Sequence, residues 1–252
     1  MIAASLARAL DPAAMARAAG YELDRWQAAV LRRRHPQTIL NCSRQAGKSL
    51  ATALGAVHEA LFYSPALVLL YAPTQRQSEL LYAKVRAVLR ALDDVPTYQE
   101  DTRTSLQLSN GSRVACLPGD EATTRGFSGV NLLVIDEASR CSDLLYAGVR
   151  PMLAVSAGRI VLLSTPWGRR GFYWEVWSNG GPAWYRVQVT AAECPRITAE
   201  WLRIERDSLP ERLYRQEYEC SFEDIESQVF ATELVTEAFT PNVKPLFPGG
   251  VR

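Results

Sequence analysis

The sequence carries almost no net field: 28 Lys and Arg stand against 27 Asp and Glu, a formal charge of +1. Composition therefore does not mark the chain as a nucleic-acid binder. A local basic patch is still available, and Arg32-Arg33-Arg34 is one candidate. A solvated helix end favoured by the helix dipole accounts for that triplet better than a DNA contact does. Paired cysteines are also lacking. The five, Cys42, Cys116, Cys141, Cys194 and Cys220, are odd in number, widely spaced and without a C-x-x-C. That excludes a disulfide framework and a zinc ribbon and points to reduced thiols. No apolar run is long enough to span a membrane. The start, Met1 to Leu10, has no basic region ahead of its apolar part and reads as an amphipathic helix, not a signal peptide. The expected compartment is the cytoplasm, with no membrane partner. Internal repeats and low-complexity blocks are absent too.

What is present is an alternation of apolar strands and amphipathic helices. Residues 1–20 are Ala-rich and read as a helical arm. Asp24, with Gln27 three residues on, opens a helix to about Arg34. Gln37–Asn41 reads as a buried strand, Lys48–Tyr63 as a helix, and Ala66–Tyr71 as a parallel strand buried on both faces. Gln75–Leu92 is a long amphipathic helix. A hairpin follows, Ser105–Leu108 and Arg113–Leu117, turned by Asn110-Gly111. Strands are expected at Asn131–Asp136, Ile160–Ser164 and Trp184–Val189. Ser208, with Glu211 three residues later, is expected to cap a helix to about Glu219. Residues 237–252 are rich in proline and glycine and read as a linker or frayed end. The order predicts an α/β fold with a mostly parallel central sheet flanked by helices.

The chemistry is concentrated at two strand ends. Asn41-Cys-Ser-Arg-Gln-Ala-Gly-Lys-Ser49 joins a strand to a helix and fits the phosphate loop G-x-x-x-x-G-K-[ST], except that Cys42 stands where the first glycine belongs. A Ser-Arg-Gln-x-Gly-Lys-Ser loop points to a particular branch of nucleotide-dependent motors. Ser43, Arg44, Gln45, Ala46, Gly47, Lys48 and Ser49 are the expected nucleotide-binding residues. Lys48 can reach the outer phosphates, Ser49 can hold magnesium, and Gly47 lets the backbone amides close on the anion at the helix N-terminus. Arg44 adds a second cation. About ninety residues on, Leu132-Leu-Val-Ile-Asp136-Glu137 ends an apolar strand in two acids. Asp136 is placed to hold magnesium, and Glu137 to polarise the attacking water. The two motifs together predict an ATP- and Mg2+-dependent hydrolase.

Three further places carry competing readings. Ser164-Thr165-Pro166 alone is a strand-terminal turn. One strand after the acid pair, it is better read as a sensor of the γ-phosphate or the catalytic water that passes the signal on. Gln27 can read an adenine edge or merely complete the capping box with Asp24, and the residues alone leave these equal. Arg125, in Thr123-Thr-Arg-Gly-Phe-Ser-Gly129, is either a surface arginine or a finger reaching a neighbouring subunit's phosphates; chemistry alone leans towards the former.

Together these residues resemble the large terminase subunit of tailed bacteriophages, the ATPase that pumps DNA into a capsid. The resemblance covers most of residues 20–230. It takes in Gln27, the loop to Ser49, Tyr71-Ala-Pro-Thr74, Thr124–Gly129, Asp136-Glu137, Ser164–Pro166 with Gly168 and Gly171-Phe-Tyr173, and Tyr214-Arg-Gln-Glu-Tyr218. It implies a P-loop NTPase fold of the ASCE or RecA-like kind, adenine recognition by Gln27, phosphate contacts from Arg44 and Lys48, catalysis by Glu137, and a trans role for Arg125. It also implies as partners double-stranded DNA, a portal protein and a small terminase subunit. The active form would be a homo-oligomeric ring, a pentamer on the portal, with a monomer in isolation. The family continues into a ribonuclease-H-like nuclease, whereas 28 residues follow Asp224 here. Gln228-Val229-Phe230 resembles the connecting segment. The expected division is therefore an arm over 1–20, an ATPase domain over 21–230 and a linker over 231–252, with ATPase but no nuclease activity in this chain. Two rival classes share part of the pattern: a superfamily-2-like helicase or DNA-remodelling ATPase, and a non-hydrolysing assembly protein.

Overall fold

A computed structural model describes residues 2–119 and 126–224. Among them an eight-stranded sheet runs in the order β3-β4-β5-β2-β6-β7-β1-β8. Its parallel part comprises β1 (Gln37–Cys42), β2 (Leu67–Ala72), β5 (Arg113–Pro118), β6 (Leu132–Asp136), β7 (Arg159–Ser164) and β8 (Tyr185–Val189). The strands β3 (Tyr98–Asp101) and β4 (Ser105–Leu108) add an antiparallel edge. The predicted fold class is thus the observed one.

Side-chain alternation explains why the central strands are apolar throughout. Leu40, Val68, Leu70, Leu132 and Val134 enter one core layer, and Ile39, Leu69, Tyr71, Leu133 and Ile135 enter the other. A strand with helices on both faces has no solvent side, so its sequence loses the polar half of the period-two pattern. The first layer is covered by α4 (Lys48–Phe62) and α5 (Gln75–Arg90), the second by α6 (Asp143–Val149) and α7 (Gly171–Asn179). Each of α4, α5 and α7 starts directly after a strand or its turn, at the carboxyl end of the sheet.

The N-terminal stretch is two helices, α1 (Ile2–Leu10) and α2 (Pro12–Ala18), broken at Asp11, whose side chain accepts from Ala13 N at 2.9 Å. Met15 and Ala16 of α2 are fully buried in the first core layer. The next helix, α3 (Arg25–Arg33), ends in the arginine triplet. Arg32 pairs with Asp11, Arg33 lies over the Tyr185 ring, and Arg34 pairs with Glu59 while covering Tyr63. The triplet therefore serves intramolecular packing, a larger role than a solvated helix end.

One expected cap is displaced. Ser208 does not open a helix; it is the last residue of α8 (Ala199–Ser208), and α9 (Glu211–Tyr218) starts after Pro210. The proline forces Leu209 into extended backbone (φ −103°, ψ 148°), which separates the two helices.

Candidate active site

The site sits at the carboxyl ends of β1, β7 and β6, which lie side by side in that order. The loop from β1 to α4 is held open by Gln45 and Gly47, both at positive φ (61° and 88°). The positive φ of Gly47 favours glycine, and a Cβ there would come within 2.6 Å of the Gln27 amide nitrogen and displace it from the loop. The cysteine in place of the first loop glycine also has a structural reason. Cys42 is still strand, paired with Val189 of β8, and fully buried. Burial pushes its thiol up to about 12, which leaves it an inert core residue. Ser43 follows it, buried, its N–H donating to Val189 O at 2.9 Å.

From this frame Lys48 and Ser49, the first residues of α4, face the two acids. Lys48 Nζ lies 3.4 Å from Glu137 Oε1 and 3.3 Å from Thr165 Oγ1. Ser49 Oγ lies 3.5 Å from Asp136 Oδ2. Asp136 ends β6, and its other oxygen accepts from Glu137 N at 2.9 Å. Burial, reinforced by the adjacent Glu137 charge, pushes the Asp136 carboxyl up to about 6. Glu137 itself adopts left-handed backbone (φ 48°, ψ 41°), an uncommon state for a non-glycine residue. The turn swings its carboxylate back over β7, where Ser164 Oγ donates to Oε2 at 3.3 Å. A non-glycine residue held in such a conformation is a known device for aiming a functional side chain.

The Ser164-Thr165-Pro166 stretch therefore touches both halves of the site. Ser164 contacts Glu137, Thr165 contacts Lys48, and Pro166 follows, buried. A hydroxyl absent from the sequence expectations ties them together. Ser139 Oγ lies 2.7 Å from Ser164 Oγ and donates to Thr165 O at 2.8 Å. Over these groups opens a cleft of about 680 Å3 lined by Arg44, Gln45, Gly47, Lys48, Ser49, Gln77, Lys84, Glu137, Arg140, Thr165 and Arg196, among others. Five of those residues are cationic, which suits a polyphosphate. Ser49 lines this cleft and the buried Asp136 carboxylate lies against its hydroxyl, a pair of the hard oxygen donors that magnesium takes together with phosphate oxygens.

A family profile for the terminase large subunit, T4likevirus-type, N-terminal part, matches residues 39–237. The chain belongs to the terminase large subunit family. The terminase large subunit of Escherichia phage T5 is 25% identical over 207 residues, covering 79% of this chain and 47% of that protein. The ATPase domain of the Thermus phage P74-26 large terminase superposes with a TM-score of 0.72 at 23% identity, over 82% of this chain and 97% of that one. A large terminase from another thermophilic bacteriophage, solved with ATP-gamma-S, gives a TM-score of 0.67 at 10% identity, over 80% and 53%. The fold is thus the P-loop NTPase fold of terminase ATPase domains. The chain spans about half the length of the curated relatives it matches.

Two residues expected at the nucleotide, Arg44 and Gln27, are engaged with other protein groups in this structure. Arg44 is turned outward, its side chain 64% exposed and ion-paired with Glu217 of α9, which raises its already high pKa. Gln27 is 1% exposed and both ends of its amide are engaged: Oε1 accepts from Asp24 N at 2.9 Å, and Nε2 donates to Gly47 O at 3.1 Å. The capping box is formed, and Gln27 braces the phosphate loop from behind. Ala46 is buried, its carbonyl accepting from Arg196 at 3.2 Å. Arg125 lies outside the described residues, as do Gln228–Phe230 and residues 231–252.

Sequence reasoning missed Ser139, Lys84, Arg140, Arg196 and the part played by Glu217. Ser139 had a usable signal, a hydroxyl two residues past Glu137. Glu217 lies in a stretch that carried the resemblance but had no assigned task. Arg196 had none: it reaches the loop across 150 residues of chain and is fixed by two contacts to Asp24, at 2.9 and 2.7 Å.

Proposed function

We propose that this chain is the ATP-hydrolysing motor domain of a terminase large subunit, and that it drives double-stranded viral DNA into a procapsid. The observation that carries this reading is the convergence of Lys48 and Ser49 on Glu137 and Asp136, at 3.4 and 3.5 Å, across three adjacent strand ends. Lys48 and Glu137 neutralise each other in the free protein. Polyphosphate draws Lys48 towards its outer oxygens and leaves Glu137 free to take the proton of the attacking water as the γ-phosphate departs from ADP. Magnesium, held by Ser49 and assisted by Asp136, would neutralise charge on the phosphate oxygens. Ser164 reports on Glu137 and Thr165 on Lys48, so both hydroxyls lose or exchange a partner during turnover. That is the physical content of the coupling role of Ser164, Thr165 and Pro166. Arg44 adds its charge once Glu217 releases it.

Residues 21–230 form the ATPase domain in this reading, with 1–20 as its helical arm and 231–252 leading onward. The partners are DNA, a portal protein and a small terminase subunit. The active form is a homo-oligomeric ring, a pentamer on the portal, working in the host cytoplasm. Arg125 acts on the phosphates of the adjacent subunit. Among the described residues no helix is long and apolar enough to cross a membrane.

The test is ATP turnover by the purified chain at increasing concentration, with and without double-stranded DNA. Turnover per subunit should rise with concentration, because an arginine supplied in trans requires assembly. Turnover that is absent under all conditions while ATP still binds would favour a non-hydrolysing assembly protein.

A further inference from the structure

We propose that a monovalent anion of about the size of chloride binds between Arg34 and Arg159, at the end of the sheet opposite the phosphate loop. The inference is independent of the nucleotide site and concerns a second, structural ligand.

Three charged side chains meet at the amino ends of β1 and β7. Arg34 closes α3, Arg159 opens β7, and Glu59 lies in the last turn of α4. The two guanidinium groups share one carboxylate: Arg34 Nη2 lies 3.1 Å and Arg159 Nη2 3.4 Å from Glu59 Oε2. The Arg34, Arg159 and Glu59 side chains are 24%, 17% and 6% exposed, so solvent screens them weakly. Neither arginine has a second acidic partner among the described residues. His58 stands beside them but stays neutral, because burial pushes its pKa down to about 4. Two positive charges against one negative leave the cluster with an excess of one positive charge.

Hydrogen bonding falls short at the same place. Arg34 Nη1 and Arg159 Nε are buried and have no partner among the described residues. The Tyr63 ring against Arg34 and the carboxyl ends of α3 and α4 offset part of the excess charge. No carbonyl at those ends accepts from the two unpaired N–H groups. Buried donors without an acceptor are uncommon, and an arginine cannot escape the cost by losing its proton.

A cavity of about 40 Å3 adjoins these groups, lined by Arg34, His58, Glu59 and Arg159 and by apolar side chains such as Leu40 and Val161. That volume admits water or one small ion. It is far below the roughly 300 Å3 at which pockets for organic ligands begin. Water can accept from the N–H groups but leaves the charge unbalanced. A small anion does both, in a site where charge-assisted contacts are strong. Its role follows from its place. Glu59 is eleven residues from Lys48 along α4, about 16 Å. An ion here ties the far end of the helix that begins with Lys48 and Ser49 to α3 and β7.

The test is thermal unfolding of the full chain at fixed ionic strength, with sodium gluconate, whose anion is too large for the cavity, replaced stepwise by sodium chloride. The melting temperature should rise with chloride and level off, by about 2–5 °C in total. Lys48→Ala should keep that rise, because the phosphate loop is not the site. Arg159→Gln keeps a hydrogen-bonding side chain but removes the excess charge, and its melting temperature should no longer depend on chloride. Bromide-soaked crystals of the wild type give a reading that needs no variant: anomalous scattering should place the ion against both Arg34 Nη1 and Arg159 Nε. Equal melting in the two salts overturns the proposal, and so does a rise lost in Lys48→Ala but kept in Arg159→Gln. A cavity that takes up ordered water and no bromide overturns it as well. Bromide there without any chloride dependence of melting marks an adventitious ion only, and that too overturns it.

Discussion

The two walls of the cleft are built on different principles. The sheet wall carries Lys48, Ser49, Asp136, Glu137, Ser164 and Thr165 on the ends of buried strands and the start of a buried helix. There, close apolar packing on both faces of the sheet fixes the backbone. The outer wall carries Arg196, Trp201, Glu217 and Tyr218 on a short turn, the exposed helix α8 and the partly buried α9, tied to the rest of the site chiefly by ion pairs: Arg196 to Asp24 at the start of α3, and Arg44 of the loop to Glu217. Exposed pairs of this kind contribute about 0–1 kcal/mol each. The first wall is suited to holding reacting groups in fixed geometry, and the second to adjusting to a ligand that arrives and leaves.

The comparison is broken most sharply from the sheet side. Glu137→Gln keeps the shape of the side chain but cannot accept a proton, so turnover should fall by about 10²–10⁴ while ATP affinity is retained. Lys48→Ala removes a phosphate-facing charge and should cost about 1.5–3 kcal/mol in ATP binding. Steady-state hydrolysis and calorimetric titration separate the two. Normal turnover in Glu137→Gln would remove Glu137 from the mechanism and leave the sheet wall without its base.

The layer behind the sheet wall can be probed by pH. His58 of α4 is buried, with Nε2 3.2 Å from the carbonyl oxygens of Arg8 and Ala9. Burial lowers its pKa to about 4, with help from the nearby Arg34 and Arg159 charges. An unfolded histidine titrates near 6.5. Below that pH the unfolded chain takes up a proton that the folded chain refuses. The stabilisation is therefore complete above pH 6.5 and is lost as pH falls towards 4. About 2 kcal/mol should disappear between about pH 6.5 and 5. Urea midpoints at several pH values read the slope, and His58→Gln should flatten it over that window. An unaltered slope in the variant would place the titrating group elsewhere.

The difference between the walls is also the difference between what can and cannot be read from sequence. The sheet wall is legible because its strands are uninterrupted apolar runs, and because Gly-Lys-Ser and Asp-Glu end them at a recognisable distance. The hairpin is legible from Asn110-Gly111. By contrast, β3 (Tyr98-Gln-Glu-Asp101) is exposed along its length and has no buried face to impose a pattern. The boundary between α8 and α9 is misread at Ser208, because an exposed helix constrains few of its residues and Pro210 carries the break. Gln27 shows a subtler limit. An amide that can cap a helix can also pair with a base, and its burial against Gly47 is a tertiary property that local sequence does not carry. Arg196 and Glu217 act through contacts spanning 150 and 173 residues of chain, for which local sequence holds no signal.

The smallest expected effect sits on the outer wall. Arg44 is on the phosphate loop yet paired outward with Glu217, so part of its charge is neutralised before any nucleotide arrives. Glu217→Ala should release it. The pair is exposed on the arginine side, so folding stability should fall by no more than about 1 kcal/mol. The freed guanidinium can then reach the polyanion, and ATP should bind about two- to fivefold tighter, the scale of one partly screened charge contact. Arg44→Ala in the Glu217→Ala background should abolish the gain, which isolates the pair from any general loosening of α9. A weaker ATP complex in Glu217→Ala would mean that Glu217 holds Arg44 in its working position, and the outer wall would then be as preorganised as the sheet wall it faces.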